Sequence, residues 1–462
     1  MRRAVPPMAA LLLAACSFTP DYRRPEAPVP AAWPVEATVG VSTTAFVTDW
    51  RAFFPDPRLQ GLIATALEHN RDLRIAVARV DEARALAGIA HAERFPSVDF
   101  AALRTVSDIP ADLSATGRRS NSQRNDVNLA VTSFELDFWG RVKSLDDAGR
   151  ASFLASDYAR QAFQLSLIAD VADAWLSLLE LGERLELAQA TARSREETRT
   201  LTGRRRDVGL ASELDYLQAE GAVQGTRAAA ANLARSYAAA ENALRLLVGD
   251  SFTLGDGGRL AQQGLIADVV VGLPADVLLA RPDVLSAEQQ LIAANANIGA
   301  ARAAFLPKIL LTAAAGTASS ALAGLFDAGS GAWAFAPVLR LPLFDAGRTS
   351  DNLDLATARK NIAVAEYEKV IQQAFREVAD LLAARSLLAE ELQALEATVA
   401  AQSQRLVIVE ARYWAGVSNY LELHDAQRDK FVAQQAALVT RRQLLSVAAN
   451  FYKALGGGVA VQ

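Results

Sequence analysis

Two very long runs dominate the chain, from about Arg141 to Arg206 and from about Arg348 to Trp414, and neither contains a proline. In the second, Tyr367, Val370, Ile371, Ala374, Val378, Leu381 and Leu382 recur at the spacing of one helical face. At 1.5 Å per residue, a run of ~65 residues makes about 100 Å of helix, more than an ordinary globular domain needs. A glycine-containing turn follows each run, then a further helix reaching Leu247 or Leu455. Upstream lie Ala-rich helical stretches, about Leu59 to Glu93 and about Asp276 to Ala304, each closed by a proline a few residues later.

Between those stretches and the long runs the period changes to two. From Trp333 to Leu341, Trp, Phe, Pro and Leu alternate with Ala, Ala, Val and Arg, and Asp126 to Thr132 alternates in the same way. Large apolar residues on one face with small or polar ones on the other suit a strand between lipid and water. One face of a soluble sandwich would read alike, and the segments around Phe100 and Leu311 alternate poorly. Each pair of strands is joined by a loop containing Gly, Ser or Asn, giving strand pairs over residues 96–137 and 307–343.

The same order of elements occurs twice. Gly140 and Gly347, Gly209 and Gly416, and Gly249 and Gly456 each stand 207 residues apart, in matching surroundings. A period this long denotes a duplicated subdomain rather than a solenoid unit. The expected organisation is a signal peptide at 1–15 and an extended tether at 16–50. Repeat one covers 51–249, an inter-repeat segment 250–274, repeat two 275–456, and a short tail 457–462.

Composition narrows the function. Among 462 residues there are one cysteine and three scattered histidines, which excludes a disulfide framework and disfavours a zinc site. The formal net charge of −5, with no basic stripe, disfavours nucleic acid as a partner. No run of ~18 uncharged apolar residues occurs in the mature chain. No nucleophile elbow, phosphate loop or metal-ligand spacing appears, so the chain reads as a non-enzyme without cofactor or metal. Arg2, Arg3 and the apolar stretch to Ala15 form a secretory signal, and Leu13-Ala14-Ala15-Cys16 resembles the lipobox of bacterial lipoproteins. That resemblance implies diacylglycerol on the Cys16 thiol and acylation of its freed amine. The stretch from Ser17 to Asp49 is rich in proline and small residues and reads as an extended tether.

Four strands cannot close a pore, and an open sheet edge cannot sit in hydrocarbon, where each unpaired backbone group costs several kcal/mol. A membrane location therefore requires further copies. Three would supply twelve strands, within the range of transmembrane barrels.

The chain resembles the outer-membrane factors (TolC-like proteins), lipoprotein branch, of Gram-negative tripartite efflux systems. The likeness lies in PDYRRPEAPVP after Cys16, SFELDFWGR around Trp139, the run from Ala280 to Ile309, GLFDAGSGAWAF, LPLFDAGR, and ARYWAGVSNYLELHDAQ from Ala411. It implies an α+β membrane protein, a homotrimer whose long α-helical barrel continues into a 12-stranded β-barrel, with a mixed equatorial belt. The implied activity is passive export across the outer membrane, fed by a periplasmic adaptor protein and an inner-membrane pump, often of the resistance-nodulation-division type. Gly209 with Leu210 and Gly416 with Val417 would form adaptor-contacting helical tips. Leu421, Glu422, Asp425 and Arg428 would form a periplasmic gate, with Leu421 an apolar ring and Arg428 a tie to a neighbour. Asp425 matches the family's recurrent Asp-Ala-Gln, whereas Glu422 occupies a varying position. Without the resemblance, Glu422 and Asp425 would read as a solvated helix face. Pro96, Gly140, Arg141, Pro307, Gly347 and Arg348 would mark the barrel-to-helix junctions. Rival readings are a lipoprotein periplasmic adaptor, which needs one hairpin flanked by soluble β domains, and a structural envelope tether, which does not need amphipathic strands.

Overall fold

The computed structural model describes residues 18–30, 33, 49–252, 258–264 and 275–457. Cys16, the signal segment and most of the tether and inter-repeat expectations lie outside the described residues. The helices are α1 (Trp50–Phe53), α2 (Pro57–His69), α3 (Arg71–Ala92), α4 (Arg141–Asp207), α5 (Glu213–Val248), α6 (Pro282–Ala303), α7 (Arg348–Trp414) and α8 (Tyr420–Ala454). The strands are β1 (Asp99–Ile109), β2 (Ser120–Leu136), β3 (Lys308–Ser319) and β4 (Gly331–Arg340). The order helix, two strands, long helix, helix thus occurs twice. The chain forms two compact units, residues 1–26, 79–157 and 286–368, and residues 27–78, 158–285 and 369–462.

The first unit holds an antiparallel sheet in the order β1-β2-β3-β4. Its register separates two faces. One carries Phe100, Val127, Leu129 and Val131, then Ile309, Leu311, Trp333, Phe335, Pro337 and Leu339. The other carries Arg124, Asp126, Asn128, Ala314, Gly316, Ala334, Lys308 and Arg340. The weak alternation of β1 and β3 arises because alanine serves on both faces. β2 keeps its parity by an irregularity between Val131 and Phe134, where Ser133 has a φ of 53°. Three residues of β2 here span two of β3, so Phe134 and Leu136 come onto the apolar face; one-to-one pairing of the same sequence would put them on the other.

Small residues set the helix packing beside the sheet. Ala148 and Ala151 of α4 meet Ala293 and Ala296 of α6. The extended segment 18–30 runs along these helices: Thr19 Oγ1 and Ser144 Oγ are 2.9 Å apart, and Asn295 Nδ2 donates to Pro20 O at 2.7 Å. Arg24 donates twice to the buried carboxylate of Glu288, at 2.7 Å each, and Tyr22 donates once at 3.0 Å. Only glycine fits at 299, where a Cβ would collide with Thr19.

The second unit has the larger core, in which Leu59 and Ile63 of α2 pack with Leu167, Ile168, Val171, Trp175 and Leu176 of α4 and with Leu244 and Val248 of α5. One stretch of α4 is long and apolar enough to cross a membrane by length and composition, but half of it is buried in the protein. Its apolarity is that of a core helix.

The helix expected from Leu59 to Glu93 is broken at Asn70. That residue ends α2, its Oδ1 accepts from Leu73 N–H at 2.8 Å to start α3, and its Nδ2 donates to Leu247 O at 2.8 Å. One side chain thereby satisfies termini of two helices. The stretch from Asp276 is likewise divided, with a 3-10 segment at Ala275–Ala280 before α6 opens on Pro282 at its first position.

Candidate helix-tip gate

Both long helices of the second unit end in turns of one design. Gly209, with a φ of 77°, donates to Arg206 O at 2.9 Å, and Leu210 donates to Arg205 O at 2.7 Å. Gly416, with a φ of 76°, donates to Tyr413 O at 3.0 Å, and Val417 donates to Arg412 O at 3.0 Å. These paired bonds close a helix C-terminus around a left-handed residue, which glycine adopts without a Cβ clash. The next helices are capped from the turn. Ser212 and Asp215 form a reciprocal capping box on α5, and Asn419 Oδ1 accepts from Glu422 N–H at 3.0 Å on α8.

The turns expose apolar side chains: Val208, Leu210 and Val417 are each 70% exposed, and Leu214 and Leu421 are exposed beside them. Beneath the second turn, Tyr413, Tyr420, Leu423 and Ala219 form a buried cluster. Tyr413 and Tyr420 meet edge to face, Arg205 covers the Tyr413 ring, and His424 stacks on Tyr420. Burial, then the nearby Arg195, lowers the His424 pKa, and burial pushes the Tyr420 phenol up to about 12. Arg195 is buried, bonded to Thr226 Oγ1 at 2.5 Å and Ala222 O at 3.2 Å.

The four expected gate residues lie on the first three turns of α8 and divide by partner. Glu422 is held back by the turn, its carboxylate accepting from Ser418 Oγ. Asp425 pairs with Arg428 at 3.0 Å, and Arg428 also bonds Asp429 at 2.9 Å. Asp429 accepts from Arg405 of α7 at 2.8 Å. The carboxylates at 425 and 429 are therefore joined by Arg428 and tied to the partner helix of the hairpin. The Arg405 hydrogen bond, helped by Arg428, holds the Asp429 carboxyl below the usual aspartate range. Sequence reasoning missed Asp429 and Arg405. Their signal was present in the i,i+4 spacing of Asp425 and Asp429 on the α8 face, but Arg405 joins it only through the hairpin.

The junction residues sit in the first unit. Gly140 and Gly347 have φ of 70° and 91°, and Arg141 and Arg348 open α4 and α7. Arg141 donates to both oxygens of Glu135 at 2.8 and 2.7 Å, locking the end of β2 to the start of α4. Trp139 Nε1 donates to Pro307 O at 2.8 Å, joining the first junction to the start of β3. Asp345 accepts from Gly347 and Thr349 N–H at 3.2 and 3.0 Å. Pro96 and Pro307 lie between helix and strand, and Pro96 is exposed.

Comparison with known proteins agrees with this architecture. The profile of the outer membrane efflux protein family matches residues 62–250 and 273–457. The toluene efflux pump outer membrane protein TtgF of Pseudomonas putida is 44% identical over 458 residues, 97% of this chain and 95% of its own. Outer membrane protein OprJ of Pseudomonas aeruginosa is 43% identical over 453 residues, 97% and 94% of the two chains. A membrane protein crystal structure from Pseudomonas aeruginosa superposes with a TM-score of 0.90 at 41% identity, over 96% of this chain and all of the other. The open-state MtrE outer membrane channel of Neisseria gonorrhoeae gives 0.87 at 37%, over 96% and 98%. A four-stranded sheet carried by paired long helices, with matches of this extent to efflux proteins, fixes the assignment: the chain belongs to the outer membrane efflux protein family.

Proposed function

We propose that this chain is the outer-membrane duct of a tripartite efflux system, acting as a homotrimer that conducts small molecules passively and performs no catalysis. The observation that carries the reading is the two-faced register of the four-stranded sheet, with lipid-suited residues on one side and polar or small ones on the other. Among the described residues, its outer strands β1 and β4 have unpaired edges within the protomer. Closure in a membrane requires other copies, and three give a barrel of twelve strands. The rival readings are disfavoured: a periplasmic adaptor needs one hairpin, whereas this chain has two hairpins of long helices, and a tether would not need the two-faced sheet.

The exposed apolar turns around Gly209, Leu210, Gly416 and Val417 are the surface for a periplasmic adaptor, behind which an inner-membrane pump supplies the energy. A pump of the resistance-nodulation-division type suits this arrangement. Leu421, Glu422, Asp425 and Arg428 guard the duct at that end. Cys16 carries the lipid anchor. Support for the anchor comes from the segment that follows it: Phe18 O accepts from Arg302 at 3.5 Å, one residue before the end of α6 and close in sequence to the start of β3.

The test is electrical. The full mature protein, purified in detergent, should migrate as a heat-sensitive trimer and conduct in planar bilayers. A stable monomer without conductance would contradict the proposal.

A further inference from the structure

The outward face of the first hairpin changes chemistry at one rung. Register aligns Phe100, Ala102, Arg104 and Val106 of β1 with Leu129, Val127, Asn125 and Gln123 of β2. Arg104 therefore shares the apolar face. Along β3 this face runs from Ile309 to Thr317, and the rung of Asn125, Ser319 and Arg104 comes next. At about 3.4 Å per residue and a strand tilt of about 40°, that rung stands roughly 26 Å from the one at Ile309. An outer-membrane barrel has an apolar band about 25 Å tall. Arg104 is thus placed at the far boundary of the band, where hydrocarbon gives way to headgroups.

Among the described residues its charge has no counter-charge. Among the described residues the guanidinium's polar partner is Gln123 Oε1, at 3.4 Å, and no carboxylate lies within ion-pair distance. Nearby acids are engaged elsewhere: Asp126 belongs to the opposite face and pairs with Arg124 at 2.7 Å, and Asp108 is taken by Arg119. The loop closing this hairpin adds Arg118, exposed and without an ion pair among the described residues. The second hairpin has no counterpart, since residues 320–330 contain neither Lys nor Arg.

We propose that Arg104 binds the phosphate of a phosphorylated glucosamine lipid in the outer leaflet, one site per protomer, with Arg118 adding positive charge in the loop beyond it. An arginine fork matches a phosphate with two parallel N–H···O bonds, and an exposed cation that is costly at the bilayer midplane is tolerated at the depth of the interface. The chemistry fits that lipid class because its phosphates lie directly above the acyl chains, at the level the register assigns to Arg104. The inference rests on the membrane orientation proposed above, with the strand loops outside.

Native mass spectrometry of the intact mature protein in detergent tests it, using bisphosphorylated lipid A, dephosphorylated lipid A, phosphatidylglycerol and inorganic phosphate as separate probes. The wild type should retain bisphosphorylated lipid A at least about five-fold better than dephosphorylated lipid A or phosphatidylglycerol, with no displacement by millimolar phosphate. Arg104→Gln should lose that preference. Arg340→Gln, on the opposite face at the other end of the sheet, should keep it. Arg104→Lys, a milder change should the Gln variant misfold, should weaken binding without abolishing it. Equal retention of any lipid probe by the wild type, full competition by inorganic phosphate, or an unchanged Arg104→Gln variant overturns the site. Liposome flotation separates the two readings. Wild type that floats but shows no preference overturns this site alone, and wild type that fails to float overturns the membrane assignment.

Discussion

Asp429→Asn isolates the link between α7 and α8 beside the tip. The carboxylate accepts from Arg405 at 2.8 Å and from Arg428 at 2.9 Å, so the amide removes the charge from two ion pairs while keeping the shape. Asp429 is 32% exposed, and its arginines 43% and 54%, so solvent screens the attraction. An exposed pair of this kind contributes about 0.5–1 kcal/mol. Over three copies the loss is roughly 1.5–3 kcal/mol, enough to shift a closed-to-open equilibrium about 10- to 150-fold at 1.4 kcal/mol per decade. Single-channel recording in planar bilayers should show longer or more frequent openings than wild type. Asp425→Ala, which frees Arg428 from its other acid, should raise conductance further by removing a charge from the proposed constriction. The pH dependence has a definite sign. The Asp429 pKa is lowered in the folded protein, so its contribution is complete above the ordinary carboxylate value of about 3.9 and disappears as pH falls through the lowered one. Wild type should therefore open as the bath is acidified below about pH 4, and Asp429→Asn should lack that component. Identical open probabilities for wild type and Asp429→Asn at pH 7 would refute the link.

Deleting Ser133 leaves Phe134 two positions after Val131, so Phe134 and Leu136 keep the apolar face and heat-resistant trimer on gels should survive, whereas deleting both Thr132 and Ser133 turns them off that face and, with about 1.5–3 kcal/mol at stake per side chain, should abolish it. Glu288→Gln leaves Arg24 without its buried carboxylate, and limited proteolysis should cut the segment around residues 18–30 at least ten-fold faster than in wild type. Cys16→Ala should abolish incorporation of labelled palmitate. Gly416→Val forces a β-branched residue to a φ of 76° and should lower the unfolding midpoint while weakening capture of a cognate adaptor in pull-downs.

What could be read from the chain depended on how far apart the interacting residues stand. The start of each long helix at Arg141 and Arg348 follows from a positive-φ glycine one residue before it, and the alternation of β4 needs only its own ten residues. The break at Asn70 was invisible because its side chain answers a carbonyl 177 positions away. The expected strand pair reaches residue 137, but the alternation of β2 is legible only to Thr132, because the bulge beyond it disguises a period of two. The ion-pair ladder from Arg405 to Asp425 was hidden for a subtler reason, since its signal lies in the sequence. Once Gly209 and Gly416 are placed as hairpin turns, each antiparallel pair is mirrored about its glycine. Arg199 meets Glu220 from 10 positions before Gly209 and 11 after, and Arg405 meets Asp429 from 11 before Gly416 and 13 after. The offset drifts to 20 and 25 for Glu396 and Arg441. Folding the sequence about the two turns brings an arginine of α7 close to the level of Asp429. The turns thus do more than reverse the chain. They set which charges on α7 face which charges on α8, so insertion of one residue beside Gly416 would displace Arg405 from Asp429 without changing either side chain.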